Sequence, residues 1–328
     1  MSKSWPGSLI TKTPVTPAGP YQDGAAPGVW TLSEQAYWNK QGLWPIAGKS
    51  VSIAVAHSAS PYITAYPWSA SGFGTKYSDP STLPASTGFG VAFSPDGTSI
   101  AVGQSSSPWI NAYPWSSSGF GTKYSDPSTL PPSDGNGVAF SPDGSTIAVA
   151  HNTSPFITAY PWSGGFGTKY SNPSTLPTGV GRGVAFSSDG ASIAVAHTTS
   201  PYITAYPWSG SGFGTKYSNP STLPPNTSLG VAFSPDSSAI AVAHSTSPYI
   251  TAYPWSGGFG TKYSNPSTLP AGQGNGVAFS PDGASIAVAH TTSPYITAYP
   301  WSGSGFGTKY SNPSTLPAST GRGVAFGR

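Results

Sequence analysis

The chain has no cysteine, a single glutamate (Glu34) and few charged residues of either sign. Charged residues make up 7% of its 328 residues, and the formal net charge is +3. Without cysteine there can be no disulfide and no thiolate metal site, and a small, evenly spread charge argues against nucleic acid as a partner. No run of about 18 apolar residues is present, so we expect no membrane insertion.

Glycine and proline are abundant, with 41 and 36 residues, and they recur at fixed places along the chain. The tripeptide Tyr-Pro-Trp recurs every 46 or 47 residues. A fixed period in this range is typical of arrays, solenoids and propellers. The tripeptide ends at Trp68, Trp115, Trp162, Trp208, Trp255 and Trp301.

One copy of the repeat contains four extended runs separated by turn residues. In the copy that begins at residue 276, they are Gly276–Phe279, Ser285–His290, Tyr295–Tyr299 and Phe306–Tyr310. β-branched and aromatic residues punctuated in this way predict short antiparallel strands. Four strands per repeat, with alanine-rich runs first and aromatic runs last, predict a propeller blade that widens away from a central axis.

The two ends of the repeat region complement each other. The first copy begins at Val51 with a second run and no Gly-Val-Ala-Phe before it, and the last Gly-Val-Ala-Phe, at 323–326, begins a copy that stops. We therefore predict an all-β fold over residues 51–328, a six-bladed β-propeller with four-stranded antiparallel blades. The C-terminal inner strand is expected to join the N-terminal blade and close the ring.

The text of the repeat resembles a known propeller superfamily. The stretch Phe279–His290, FSPDGASIAVAH, is similar to the WD-repeat and YVTN families, and the likeness extends over residues 51–326. This resemblance implies the propeller fold and implies little about activity, because propellers host many functions.

Residues 1–50 stand outside the repeat and are predicted to form an arm with one short helix, about 32–41, capped by Thr31 and Glu34. The segment Ala26–Pro45 resembles a stretch that recurs in virion proteins of tailed bacteriophages, which implies a phage structural protein located in the virion. We expect the arm to dock on other virion proteins through residues 1–45, although packing on the propeller rim would also bury its apolar side chains. Those side chains are Trp30, Leu32, Tyr37, Trp38, Leu43 and Trp44.

Histidine recurs at the end of the second run. Each histidine shares its strand face with apolar residues, and its copies lie in different blades, so we expect packing and no metal or other cofactor. The positions are His57, His151, His197, His244 and His290, with Gln104 in the remaining copy.

Two further charged positions repeat once per copy. Aspartate occupies a turn that favours it for backbone reasons, so one per blade cannot form a catalytic pair. These aspartates are Asp96, Asp143, Asp189, Asp236 and Asp282. Lysine falls on the predicted fourth strand, where it would protect the outer edge from pairing. These lysines are Lys76, Lys123, Lys169, Lys216, Lys262 and Lys309.

The copies differ most in the loop that precedes each Gly-Val-Ala-Phe. If the propeller recognises a ligand, this face is the expected place, although drift in exposed loops would give the same pattern. The candidate residues are Phe89, Asp134, Arg182, Asn226, Leu229 and Arg322. Tyr-Pro-Trp offers a second candidate as a sugar-stacking motif, but we favour its use as packing between blades.

Near-identical blades present the same few residues at separate places, which suits a scaffold or multivalent binding more than an active site. We therefore predict no catalytic residues and no enzyme. The first hypothesis is a phage virion structural protein whose propeller head is displayed through its N-terminal arm and contacts the host surface. The alternative is a lectin-like, receptor-binding propeller that takes a host cell-surface glycan, and a propeller enzyme comes third.

Overall fold

The computed structural model describes residues 51–69 and 72–326. The predicted arm, with its helix at about 32–41 and its docking residues, lies outside them, so the boundary at residue 50 stays a prediction. Of the described residues, 51–53, 65–69 and 72–77 belong to one compact unit, and 54–64 and 78–326 belong to a second, larger unit. Throughout these ranges the secondary structure consists of strands without a helix.

Twenty-one strands, numbered in chain order, repeat a single pattern. The inner strands are β4 (Gly88–Phe93), β8 (Gly135–Phe140), β11 (Gly181–Phe186), β15 (Ser228–Phe233) and β18 (Gly274–Phe279). The second strands are β1 (Val51–Ala56), β5 (Ser99–Gln104), β9 (Thr146–His151), β12 (Ser192–His197), β16 (Ala239–His244) and β19 (Ser285–His290). The third strands are β2 (Ile63–Ser69), β6 (Ile110–Ser116), β10 (Ile157–Pro161), β13 (Ile203–Ser209), β17 (Ile250–Pro254) and β20 (Ile296–Ser302). Two-residue fourth strands are β3 (Gly72–Phe73), β7 (Gly119–Phe120), β14 (Gly212–Phe213) and β21 (Gly305–Phe306).

These strands form six antiparallel sheets, each with three or four strands in chain order. The prediction of four strands in every blade is therefore too uniform. Where the outer turn is Ser-Gly-Gly-Phe, at 163–166 and 256–259, one residue is missing relative to the other blades. Only a single bridge, Trp162 to Phe166 or Trp255 to Phe259, then remains of the fourth strand.

Small residues pair across the inner half of each sheet, and aromatic residues fill the outer half. In the fourth blade, Ala185 lies opposite Ala194, and Ala194 lies opposite Ala205. Tyr206 and Trp208 of that blade are buried against Ala148 and other residues of the preceding blade. The packing role expected for Tyr-Pro-Trp holds in five of the six copies, where the buried tyrosine and tryptophan offer no stacking face to a sugar, whereas Trp68 of the first copy is 37% exposed.

A hydrogen bond repeats with this packing. The buried tyrosine hydroxyl of one blade donates to a threonine carbonyl of the blade before it, as Tyr206 does to Thr175 O at 2.7 Å. Four other blades repeat the bond at 2.8 or 2.9 Å. Because buried hydroxyls without a partner are costly, this bond fixes the spacing of successive blades.

Successive inner strands of the larger unit lie side by side at backbone distance. A Cβ on Gly90 would lie 2.9 Å from the carbonyl oxygen of Asn136 and 3.0 Å from Cα of Gly137. Glycine at the start of Gly-Val-Ala-Phe is thus required by close approach of the next blade. The same contact links Gly276 to Gly323, with 2.9 Å between the built Cβ and Cα of Gly323.

Two details differ from the sequence predictions. The repeated lysines follow the fourth strand and lie in irregular backbone, where the ammonium group of Lys216, for example, donates to Asn219 Oδ1 at 2.5 Å. They therefore do not guard a long outer strand. Residues 321–326 form no strand, and among the strands of the described residues β1 pairs with β2 alone, so ring closure stays a prediction.

Candidate functional site

Two sets of loops come together at one end of the blades, which we call the variable end. It consists of the loops that precede the inner strands and the turns that join the second and third strands. In the second blade, Ser86 Oγ lies 2.7 Å from Ser105 Oγ, and in the third, Thr153 N donates to Ser133 Oγ at 2.8 Å. The loops in which the copies differ are thus held on the Ser-Pro turns of their own blade.

The variable end contains a β-bulge at the start of every inner strand. In β11 the pairing skips from Gly181, opposite His197, to Gly183, opposite Ala196, so Arg182 is an extra, unpaired residue. Bulges of this kind re-aim a side chain and are common at the rims of barrels and beside functional sites. The bulge residues are Phe89, Asn136, Arg182, Leu229 and Asn275.

Arg322 occupies the equivalent position after the last blade. It lies in the same Gly-x-Gly frame, and Gly321 N donates to His290 O at 3.0 Å. A Cβ on Gly321 would lie 2.5 Å from Tyr295 O, and one on Gly181 would lie 2.3 Å from Phe156 O. Arg322 is therefore positioned by the preceding blade as Arg182 is, and we include it among the bulge residues.

The side chains of the bulge residues differ in their exposure and in their hydrogen bonding. Phe89 exposes 49% of its surface, and Leu229 is half-buried. Arg182 and Arg322 are exposed, and neither has a hydrogen bond or an ion pair within residues 51–69 and 72–326. The variable end therefore presents two unpaired guanidinium groups.

The two asparagines among the bulge residues are fixed by the blade that follows. Asn136 Nδ2 donates to Gly181 O at 2.7 Å, and Asn275 Nδ2 donates to Gly321 O, also at 2.7 Å. Each accepting glycine directly precedes one of the arginines. The chain thus contains the same asparagine–arginine arrangement twice.

Of the six residues predicted for a ligand face, four are bulge residues and two lie in the loops before them. Asp134 Oδ2 accepts from Asn152 Nδ2 at 2.9 Å, and Asn226 Oδ1 accepts from the adjacent Thr227 N at 2.7 Å. Asn136 and Asn275 were missed. The Gly-x-Gly frame was the signal that could have found them, because it places x at one position in five of the six copies, and the remaining copy has Ser228-Leu229-Gly230 there.

Four of the five repeated histidines are buried beneath the variable end and His57 is half-buried, and Nε2 of each lies within hydrogen-bonding distance of a threonine hydroxyl of its own blade. His151 is fully buried; its Nδ1–H donates to Thr153 O at 2.8 Å, and Thr158 Oγ1–H donates to Nε2 at 2.9 Å. Both ring nitrogens of His151 are therefore occupied in the neutral form, which leaves no lone pair there for a metal. Nδ1 of His197 and of His290 has no hydrogen-bond partner within the described residues. Burial lowers the pKa of His151 to about 4, with a smaller contribution from the charge of Lys169.

The second blade replaces this pair as a unit. Gln104 stands in place of histidine and Asn111 in place of its threonine partner, and both are buried. Gln104 Oε1 accepts from Ala85 N at 2.7 Å, so the amide ties the second strand to the variable loop. The second blade thus keeps a buried polar connection that does not titrate.

Acidic residues are absent from this buried layer and form no cluster elsewhere in the described part of the chain. No group of three histidines, aspartates or glutamates within it could hold a metal ion. The turn aspartates are bound locally: Asp143 Oδ1 accepts from Ser141 Oγ at 2.5 Å and from Ser145 N at 3.0 Å. The serine hydroxyl beside Asp143 holds the pKa of its carboxyl below the usual value. Across the same residues, no helix has the length and apolar character to cross a membrane.

Comparison with known proteins gives likeness in structure alone. No protein-family model matches the chain, and no curated protein matches its sequence. A proposed 6-phosphogluconolactonase from Bacteroides fragilis NCTC 9343 is 13% identical, with a TM-score of 0.65 over 81% of this chain and 82% of that one. A second, from Bacteroides uniformis ATCC 8492, is 13% identical, with a TM-score of 0.61 over 79% and 80%. A protein of unknown function from Desulfotomaculum acetoxidans DSM 771 is 13% identical, with a TM-score of 0.60 over 83% of this chain and 87% of that one.

These likenesses support a propeller-like fold of repeated blades, and they correct one prediction. The prediction that the chain is no enzyme is contradicted, because two of the similar structures carry a proposed enzyme name.

Proposed function

We propose that the chain is a receptor-binding β-propeller that contacts its partner through the variable end. The observation that supports the proposal is the bulge at the start of every inner strand, where the repeated text changes from blade to blade. Conserved geometry around a changing side chain suits recognition better than packing, because packing positions such as Tyr206 and Trp208 stay the same in every copy.

A glycan array probed with the full-length chain tests this function. We expect binding to a small set of saccharides, and we expect Phe89→Ser with Leu229→Ser to weaken it without changing the melting temperature. Ser116→Ala, in an exposed outer turn at the other end of the blades, is the matched surface control. Equal binding by all three proteins would show that the bulge residues do not contact the receptor.

As the fold that presents this site, we propose a closed six-bladed ring in which residues 323–326 pair with β1. Two observations support closure. Val55 in β1 is 47% exposed, although the equivalent Val102, Val149 and Val195 are fully buried. A Cβ on Gly321 would lie 2.5 Å from Tyr295 O and one on Gly276 would lie 2.9 Å from Cα of Gly323, which are close approaches of the kind that inner-strand glycines make in the other blades.

Deletion of residues 323–328 tests the closed ring. We expect loss of cooperative unfolding or aggregation through the open edge. A shortened chain that melts within about two degrees of the full chain would rule out closure, because removal of a needed strand costs several kcal/mol.

For the biological setting, we propose a place in a tailed-phage particle, with residues 1–45 docking on another virion protein. This rests on the resemblance of residues 26–45 alone. Limited proteolysis is the test: the first thirty residues should be cut quickly in the isolated chain and protected in intact particles. Equal rates of cutting would argue against an attachment arm.

A further inference from the structure

The bulge residues follow a pattern with a period of three blades. In chain order they are Phe89, Asn136, Arg182, Leu229, Asn275 and Arg322, that is, an apolar residue, asparagine and arginine, given twice. Since the rest of the repeat changes little, this order marks the bulge residues as two related half-sites.

The hydrogen bonds support the same division. Asn136 binds the carbonyl of Gly181 and Asn275 that of Gly321, each at 2.7 Å, in the position just before an arginine. Each asparagine thus fixes the backbone from which an arginine extends. The guanidinium groups themselves have no hydrogen bond or ion pair within the described residues, and both arginines are exposed.

Charge at the variable end favours anions. The six variable loops contain two arginines and one acidic residue, Asp134, whose Oδ2 is occupied by Asn152 Nδ2. The turn aspartates lie at the opposite end of the strands, since they close the hairpins between inner and second strands. Arginine binds carboxylate and phosphate oxygens through paired, charge-assisted hydrogen bonds.

Phe89 and Leu229 add an apolar component at the matching position of each half-site. Side chains of this kind pack against a ring that carries an apolar face, and a linear anion without rings would leave Phe89 exposed. Two arginines are too few for the phosphate contacts that hold a nucleic acid. A saccharide that combines rings with anionic groups matches both the arginines and the apolar residues of the pattern.

We propose that the bulge residues bind an acidic saccharide with carboxylate or phosphate groups, one anionic group for each arginine. The proposal rests on the receptor-binding function proposed above and specifies its ligand. In the six-bladed ring, positions three blades apart lie on opposite sides of the axis, so a ligand with two anionic groups would engage both half-sites. Asn136 and Asn275 are positioning residues that act through the backbone of Gly181 and Gly321.

Binding of the full-length chain to three immobilised probes tests the proposal: a uronate-containing oligosaccharide, a phosphorylated mannan and neutral dextran. We expect binding to at least one acidic probe, weakened by added salt, and little to dextran. The probe that binds identifies the source of the charge. Arg182→Gln with Arg322→Gln should weaken binding about tenfold or more, because each lost charged hydrogen bond is worth about that factor.

Two control variants test whether weaker binding comes from the place of the arginines in the fold, from the lost net charge or from a loss of folded structure. Lys169→Gln with Lys216→Gln removes the same charge in irregular backbone after the fourth strands and should leave binding unchanged. Asn136→Ala with Asn275→Ala should weaken binding by a smaller factor, and its melting temperature reports any structural loss.

The outcomes are distinct. Binding to dextran equal to that of the acidic probes would overturn the acidic ligand and leave a receptor-binding propeller standing. Acidic binding that is insensitive to the arginine pair, or that an oligonucleotide displaces more strongly than any saccharide, would also overturn it. No binding to any saccharide on the array would overturn the receptor-binding function together with this inference.

Discussion

The two ends of the blades use polar residues in opposite ways. At the constant end, the hairpins between inner and second strands bind their polar groups internally. Ser141 Oγ accepts from Thr146 N at 3.0 Å while donating to Asp143, and all five hairpins repeat the arrangement. At the variable end, Arg182, in a bulge, and Arg322, at the equivalent position, have no side-chain partner among the described residues. The repeated polar residues of the hairpins are thus used by the fold, whereas the variable end combines bonded polar residues such as Asn136 with the two exposed arginines.

Acid should affect the two ends in different pH ranges, and this is the largest effect we expect. His151, His197 and His244 lie beneath the variable end, and burial lowers the pKa of each from 6.5 to about 4. Between these pH values the unfolded chain binds more protons than the folded chain. The free energy of unfolding therefore falls as the pH drops below 6.5 and levels off below about 4. Each histidine can cost roughly 3 kcal/mol over this range, as an upper bound.

Thermal unfolding at several pH values between 7.5 and 3 checks this. The turn aspartates Asp143 and Asp282 have a lowered pKa because a serine hydroxyl binds each carboxylate. Their contribution is lost only as the pH falls below their ordinary value of about 4. The double variant His151→Gln with Thr158→Asn introduces into the third blade the residues that the second blade has at these positions. Because it removes one titrating histidine, we expect the free energy of unfolding to fall less between pH 6.5 and 4. An unchanged curve would mean that the histidines do not control the acid response.

The backbone contact between inner strands gives the next largest effect. Gly90→Ala places a Cβ 2.9 Å from Asn136 O, and the two blades must move apart to accept it. We expect a loss of about 1–3 kcal/mol in the free energy of unfolding by chemical denaturation. Gly210→Ala is the matched control, because a Cβ there meets nothing within 4 Å. Equal stability of the two variants would mean that the inner strands are not in contact.

A hydroxyl at the constant end should have a smaller effect. Ser141→Ala removes a buried group that accepts from Thr146 N and donates to Asp143. The cost should be about 1–2 kcal/mol, since a buried amide loses its acceptor. Ser116→Ala, at an exposed outer turn, should cost less than about 0.5 kcal/mol. If Ser141→Ala were as mild as Ser116→Ala, the constant end would not be held by its hairpins.

The bulge residues should have the smallest effect on stability. Arg182→Gln and Phe89→Ser change exposed side chains that the fold does not use, so each should alter the free energy of unfolding by less than about 0.5 kcal/mol. The melting temperature of each variant measures this directly. A loss above 2 kcal/mol would show that these residues support the fold and would remove the contrast between the ends.

The sequence was sufficient for the strands and their order, and insufficient for the site. Period and turn residues identified three of the four runs, because hairpin chemistry is local. The fourth run was overestimated, since only Phe213 and Gly212 of its residues in the fourth blade pair with β13. The lysines were misplaced with it.

The bulge could not be seen because it depends on the register between two strands, and a single strand does not reveal that register. Asn136 and Asn275 therefore escaped attention, although their loops were known to vary. The joint replacement of histidine and threonine by Gln104 and Asn111 was visible in the sequence. Its meaning emerged only when the contact from His151 to Thr158 paired those two positions.

The position of the bulge residues also separates the residues that determine the fold from the residues that would determine the ligand. Each bulge residue lies outside the strand pairing, so an exchange there alters what the molecule recognises while the architecture is passed on intact. Substitutions at these six positions can therefore change the ligand of the propeller without changing its fold. Because the order apolar, asparagine and arginine occurs twice, a change of ligand that keeps the two half-sites alike would need one substitution in each of them.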